Sequence, residues 1–543
     1  MNSRSPLGFL ALILLLLSCS CAVSGQCNAF GQFHRKITTS SELAQQEFDQ
    51  GLLLCYGFNH DEAVRCFERA LQADPECAMA AFGIAYALGP NINLPLTDPT
   101  VARRAHAMAQ TAQELARKQS VSPVEAGLLS AMASRYSAVP PEDRSPLDRA
   151  YADAMRQTYA SFPEDPDVGA LYAESLLDLS PWNQWNADGS PRPNTEEVLS
   201  VLERTIAIHP DHPGALHFWI HTTEGSANPE RALAAAARLP DLARGCGHLV
   251  HMPAHSYMRC GRYRDALEAN LEAVEVDRAY FAEHGPQGTY HMYLAHNQHF
   301  AVYAAMFLGD SKTALRCARE LVADLPAPML QQSPEYLDAF LAMPLHVLIR
   351  FGRWKEVLNE PQAAASFPIA RSLWHYARGV AFANTDRIEE ARREQAEFER
   401  ASAALPTSAA VGLTPAADVM AVARGMLAGE IAFRSGDAQT GVAMLRAAIA
   451  AEDALRYDEP PGWMQPVRHA LGALLLESGA AAAAEAVYRE DLIRHPDNGW
   501  SLHGLAECQR RLGDPAHTLT QAAFARAWRD ADVELRASCF CRR

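Results

Sequence analysis

The chain has 543 residues, of which 49% are apolar and 21% are charged, and its formal net charge is -16 at pH 7. A chain of this length can build one large core or a long array of small ones. A nucleic-acid-binding protein usually carries a basic stripe, and this sequence has none, so we expect no nucleic-acid partner. The sequence also lacks a GxSxG motif, a phosphate-binding glycine-rich loop and a dinucleotide-binding fingerprint, which argues against nucleotide chemistry.

The N-terminal residues 1–24 have the pattern of a targeting segment. Arg4 precedes an apolar run, Leu7–Leu17, that is too short to span a bilayer. Two processing routes fit: LLSC resembles a bacterial lipobox and would leave a lipidated Cys19, whereas AVS at 22–24 offers an ordinary signal-peptide cleavage site. We therefore expect an extracytoplasmic protein, periplasmic or secreted; only the lipoprotein route would attach it to a membrane, through a lipid anchor at Cys19.

The first clear structural unit follows at FDQGLLLCYGFNHDEAVRCFERALQADP. The small residues Gly51 and Ala63 allow two antiparallel helices to approach each other closely. Phe67 is placed to fill the space between those helices, and Pro75 stops the second one. The spacing predicts a helical hairpin.

This unit resembles the tetratricopeptide repeat, an α-hairpin of about 34 residues. Further copies follow along the chain, each with a short turn before the residue that opens the second helix. The resemblance implies an all-α fold, a right-handed α-solenoid of about ten to twelve hairpins, in three groups at 42–200, 201–360 and 361–530. The opening residues of the clearest copies are Ala266, Ala314, Val357, Ala391, Gly441, Ala484 and Thr518.

Insertions rich in proline, asparagine and tryptophan interrupt the repeats at Gly89–Pro99, Ser180–Asn194 and Arg456–Pro466. Two interpretations stay open for these segments. They are connectors whose tryptophans pack on neighbouring repeats, or they are rims and lids over a groove.

More than half of the 20 histidines lie between His209 and His299, and many of them occupy matching positions in successive repeats. One column lies at a fixed distance before the opening of the second helix, and two more lie one helical turn on either side of it. Residues so spaced share one face of a helix. The central column holds His217, His251 and His299; the next holds His221, His255 and His346, with Glu224 one turn beyond His221; the preceding column holds His248 and His296.

In tetratricopeptide arrays the first helices line the concave groove, and the resemblance implies that these columns face it. Imidazoles gathered this densely repel one another when charged, whereas a transition metal accepts several neutral imidazoles at once. We therefore expect a site for Zn, Fe, Cu or Mn formed from these eight histidines and Glu224, and whether the metal serves catalysis stays open. The alternatives are a polar groove for a small-molecule ligand and a scaffold that binds a protein or peptide partner without catalysis.

Overall fold

A computed structural model describes residues 30–186, 188–285, 288–332 and 334–542. The expected targeting segment, residues 1–24 with Cys19, lies outside the described residues. None of the helices in the described part of the chain is both long enough and apolar enough to cross a bilayer.

The described chain is almost entirely helical, with two short 3-10 helices at Pro229–Ala232 and Asp338–Ala342. Among the described residues one pair of strands forms, β1 (Ala410–Val411) and β2 (Thr414–Pro415), which are antiparallel and two residues long each. The helices before the midpoint are α1 Glu42–Tyr56, α2 His60–Ala73, α3 Ala78–Ala87, α4 Pro99–Lys118, α5 Pro123–Ser134, α6 Ser145–Ser161, α7 Pro166–Leu177, α8 Thr195–Ile208, α9 Pro213–Glu224, α10 Leu233–Leu242, α11 Gly247–His251, α12 Pro253–Arg259 and α13 Tyr263–His284. Those after it are α14 His291–Leu308, α15 Ser311–Asp324, α16 Ala327–Gln332, α17 Pro334–Leu337, α18 Met343–Arg350, α19 Trp354–Asn359, α20 Pro368–Ala383, α21 Ile388–Ala403, α22 Ala416–Arg434, α23 Ala438–Asp453, α24 Val467–Glu477, α25 Ala481–Arg494, α26 Gly499–Leu512 and α27 His517–Ala527.

Consecutive helices pack as hairpins, which confirms the predicted fold class of an all-α protein with tetratricopeptide-like repeats. The packed pairs include α1 with α2, α3 with α4, α7 with α8, α20 with α21, and α22 with α23. The turns that open the repeats adopt the left-handed backbone that glycine tolerates, as at Gly261 (φ +73°), Gly309 (φ +72°) and Gly352 (φ +63°).

The first hairpin shows how the repeat residues produce this packing. Phe67 on α2 is completely buried, and its ring lies against α1 and α3. A Cβ atom at Gly51 of α1 would lie 2.6 Å from that ring, and one at Gly83 of α3 would overlap it. The two glycines therefore let three helices close around one aromatic ring, as the spacing of Gly51 and Phe67 predicts.

The chain divides into two compact units. The first extends to Pro253 and also includes Glu275–Tyr293, and the second consists of Ala254–Val274 and the chain from Leu294 onward. These compact units do not test the predicted division of the sequence repeats into three groups, at 42–200, 201–360 and 361–530. That division stays a prediction.

Candidate metal centre

The start of helix α9, which carries two of the predicted metal ligands, is held by a buried polar network in the first unit. The His212 side chain caps the helix by accepting a hydrogen bond from the Ala215 amide through Nδ1, and its Nε2 lies 3.0 Å from Asp167 Oδ1. Asp167 also accepts hydrogen bonds from Arg35 at 2.6 Å and from the Tyr56 hydroxyl at 2.7 Å. Burial raises the pKa of Asp167, but the Arg35 and His212 partners outweigh it and hold the pKa well below its ordinary value. The carboxylate therefore stays charged and fixes the helix start.

Three predicted ligands meet in this unit. His217 and His221 project from α9 one turn apart, and His248 projects from α11. All three side chains are buried, and one nitrogen of each lies within 4.8 Å of the others. His217 Nε2 and His248 Nε2 are 3.1 Å apart. Three of the eight histidines in the predicted columns thus lie together here.

Contacts on the far side of two rings decide which nitrogen faces the group. His217 Nδ1 lies 2.7 Å from the Tyr56 carbonyl oxygen, which can only accept, so Nδ1 carries the proton and Nε2 presents its lone pair. His221 Nδ1 lies 3.3 Å from Glu224 Oε1, which leaves Nε2 of that ring as the donor to an ion. Glu224, which the sequence predicts as a ligand, lies behind His221 as its hydrogen-bond acceptor. A carboxylate or carbonyl behind a ligating histidine is the usual arrangement in metal sites.

Aromatic side chains enclose the three imidazoles. The Phe58 ring lies 4.6 Å from His217 and 5.1 Å from His248, measured between centroids. Trp182 meets His221 edge to face at 4.9 Å, and Tyr293 packs on His248 at 4.6 Å. The group therefore lies in an apolar surrounding that disfavours charged imidazolium.

Two of the insertions contribute to this enclosure. Asn93 from the Gly89–Pro99 segment accepts a hydrogen bond from Trp182 Nε1 and donates one to the Tyr293 hydroxyl, both at 3.0 Å. Trp182 belongs to the Ser180–Asn194 segment. These contacts favour the rim interpretation for both segments. Sequence reasoning missed Phe58 and Asn93 as site residues, because neither shares the repeat position of the histidines.

His251 also belongs to the first unit, where its buried ring stacks on His248 with centroids 5.7 Å apart. The remaining predicted ligands lie in the second unit. There the rings of His255 and His296 stack at 5.8 Å, and Phe300 packs against both.

His299 and His346 also lie in the second unit, where His299 contacts Met464. His299 Nε2 lies 3.1 Å from Met464 Sδ. Burial lowers the pKa of His299 to about 3, with a further contribution from His346, and lowers the pKa of His346 to about 4. Both imidazoles are therefore neutral at neutral pH. Met464 lies in the third insertion, Arg456–Pro466, and was not among the predicted ligands.

No known family model matches the chain, and no curated protein matches it. Among solved structures it is similar to the human IFIT1 dimer with m7Gppp-AAAA, at 12% identity, 92% coverage of each chain and a TM-score of 0.33. A monomeric mutant of IFIT1 with Gppp-AAAA gives 12% identity, 91% coverage of each chain and a TM-score of 0.33. The human IFIT1 dimer with PPP-AAAA gives 13% identity, 89% coverage of each chain and a TM-score of 0.32. The likeness concerns the helical-repeat fold alone.

These structures correct one expectation drawn from the sequence. The acidic composition and the lack of a basic stripe predict no nucleic-acid partner, yet IFIT1, to which the chain is similar, is found with m7Gppp-AAAA and PPP-AAAA. The exclusion was wrong, because a net charge sums over the whole surface and does not describe the potential inside one groove.

Proposed function

We propose that this protein is a helical-repeat protein that binds a transition metal ion through His217, His221 and His248. The observation that carries the proposal is the convergence of three buried imidazole nitrogens within 4.8 Å of one another. The donor set suits Zn, Fe or Cu, and Mn with less preference, because imidazole nitrogen favours the later transition metals. The other five histidines of the columns stay candidates for further binding.

The donor chemistry supports a metal over a group of hydrogen-bonded imidazoles. His217 and His248 are at most 1% exposed, so a charge on either ring would be desolvated and close to the other. With His217 Nδ1 committed to the Tyr56 carbonyl, its Nε2 has only a lone pair to offer towards His248. A metal ion accepts the lone pairs of all three rings without adding a proton to any of them.

The surroundings also suit a metal site. Glu224 would hold His221, and the Tyr56 carbonyl would hold His217, each through the nitrogen opposite the ion. A metal with three protein ligands keeps a further position for water or a ligand. Beside that position this chain supplies Phe58, Trp182 and Tyr293, whose rings exclude bulk water.

The fold itself supports the second candidate function more directly than it supports a metal site. Stacked helical hairpins form extended surfaces on which a protein, a peptide or a small molecule can bind. A scaffold of this kind needs no metal, and metal binding and partner binding are compatible in one chain.

We also propose, from the N-terminal pattern of residues 1–24 alone, that the protein acts outside the cytoplasm.

Metal content tests the proposal. The protein, produced without a histidine tag and stripped with a chelator, is reloaded with Zn(II), dialysed and measured by elemental analysis. We expect His217→Gln and His248→Gln each to bind about one equivalent less than the wild type, because each removes one of three converging ligands. His34→Gln, which changes a histidine of the first unit that is 65% exposed, is the matched control and should bind as much as the wild type. Circular dichroism of each variant checks that the helices persist.

Equal zinc in the wild type, His217→Gln and His248→Gln would contradict the metal site. A wild-type protein that retains no metal after reloading would leave the scaffold as the function that the fold supports.

A further inference from the structure

A second group of soft ligands lies in the second unit. It consists of His299 from α14 and Met464 from the segment before α24, which are in contact, and of His346 from α18, against which the same segment packs. The three side chains are between 2% and 8% exposed. Their elements are far apart in the sequence, so the group exists only because the unit folds around it.

The segment that carries Met464 contacts His299 and His346 through three consecutive residues. Trp463 meets the His346 ring edge to face with centroids 5.5 Å apart. Gln465 Nε2 donates a hydrogen bond of 2.9 Å to the His346 carbonyl oxygen. Met464, between them, places its sulfur 3.1 Å from His299 Nε2. The segment therefore holds the thioether against His299 and packs the two flanking residues against His346.

Hydrogen bonding within the core explains only part of this arrangement. An N–H group on His299 Nε2 could donate to the sulfur, although a thioether is a weak acceptor. It would leave His346 Nδ1, a buried nitrogen with no hydrogen-bond partner in the described chain, unsatisfied. A buried polar atom without a partner is costly, and a bound ion would satisfy it.

We infer that His299, His346 and Met464 form a binding site for Cu(I). All three ligands are neutral, and two nitrogens with one thioether make a soft donor set. Soft thioether sulfur selects Cu(I), whereas harder ions such as Mg²⁺ and Mn²⁺ prefer carboxylate oxygen. Phe340, Trp463 and the burial of the ligands give the ion an apolar surrounding. The inference is independent of the site at His217, His221 and His248, which lies in the other unit.

Anaerobic competition between the full-length protein and a chromogenic Cu(I) chelator tests this inference. We expect Met464→Leu, which keeps the shape of the side chain and removes the sulfur, to weaken Cu(I) binding at this site by at least about tenfold. His346→Gln should have a similar effect. Met420→Leu, at another buried methionine of the same unit, is the matched control and should bind like the wild type. Zn(II) binding at His217, His221 and His248 should stay unchanged in Met464→Leu.

X-ray absorption on selenomethionine-labelled wild-type protein tests the same site without a substitution. A copper–selenium distance in the first coordination shell is expected. Copper bound by nitrogen alone, or Cu(I) affinity in Met464→Leu within twofold of the wild type, would overturn the inference. Loss of Cu(I) in His217→Gln but not in Met464→Leu would also overturn it while leaving the first site supported.

Discussion

Glu224 provides the sharpest test of how the site in the first unit is organised. The sequence places it among the ligands, whereas the structure places its Oε1 behind His221, 3.3 Å from Nδ1. As an acceptor it would fix the ring and make Nε2 the ligating nitrogen. Replacing Glu224 with Gln keeps the shape and an acceptor oxygen, and replacing it with Ala removes the acceptor.

The geometry sets the expected size of the effect. Loss of a partner behind a metal ligand typically weakens metal binding by roughly 10–100-fold, or about 1.4–2.7 kcal/mol. The 3.3 Å separation is longer than that of a strong charge-assisted hydrogen bond, so we expect Glu224→Gln to weaken zinc binding about tenfold. Glu224→Ala should weaken zinc binding by close to the upper limit of that range, because no hydrogen-bond acceptor for His221 remains. Competition between the metal-free protein and a chromophoric zinc chelator measures both.

Glu125→Gln is the control, because Glu125 is equally buried in the first unit and binds Ser122 and Thr38 instead of a histidine. Zinc affinity within twofold of the wild type in both Glu224 variants would refute the orienting role. If Glu224 were itself a ligand, X-ray absorption would show that Glu224→Gln alters the oxygen ligands of the ion, whereas an orienting residue leaves the ligand set unchanged.

Two further predictions concern stability. A Cβ atom at Gly247 would overlap the buried Asp277 carboxylate. Gly247→Ala should therefore lower the free energy of unfolding, measured by urea titration, by about 1–3 kcal/mol, and it should weaken zinc binding by displacing His248. An unchanged urea midpoint would contradict this prediction. Burial lowers the pKa of His469 to about 4, and the nearby Arg350 contributes to this lowering. The Asp491 carboxylate raises the pKa but does not outweigh the effect of burial. Between pH 6.5 and 4 the unfolded chain therefore takes up a proton that the folded chain does not, and stability should fall by about 2 kcal/mol from pH 8 to pH 5 through this group. His469→Gln should lose that part of the pH dependence, and an identical pH dependence in variant and wild type would show the assignment to be wrong.

The hairpins could be predicted from the sequence because their determinants are local. Gly51 and Phe67 lie within one repeat, and the distance between them along the chain fixes how two neighbouring helices approach. The role of Gly83 was not evident, since it belongs to the next helix and its contact with Phe67 depends on how hairpins stack. The return of Glu275–Tyr293 to the first unit could not be predicted either, because no local pattern encodes which distant helices a segment packs against.

The difference between local patterns and contacts of distant segments also explains which parts of the site could be predicted. His217, His221 and His248 come from three neighbouring columns on one helix face, and stacked repeats bring such faces together, so the sequence indicated that they lie near one another. Trp182, Asn93 and Met464 lie in insertions that break the repeat, where no periodic position relates them to the histidines. The sequence could identify those insertions only as connectors or rims.

The two groups of ligands differ in a way that bears on what the repeats are for. In the first unit the donors are imidazole nitrogens with a carboxylate and a carbonyl behind them, an arrangement that raises ligand basicity and suits a divalent ion. In the second unit His299 and His346 share their site with a thioether and have no carboxylate in contact with them among the described residues, which suits a monovalent soft ion. From a mixture of Zn(II) and Cu(I), we therefore expect Zn(II) to bind in the first unit and Cu(I) in the second. Met464→Leu should weaken this selectivity, because it removes the only sulfur ligand of the two proposed sites.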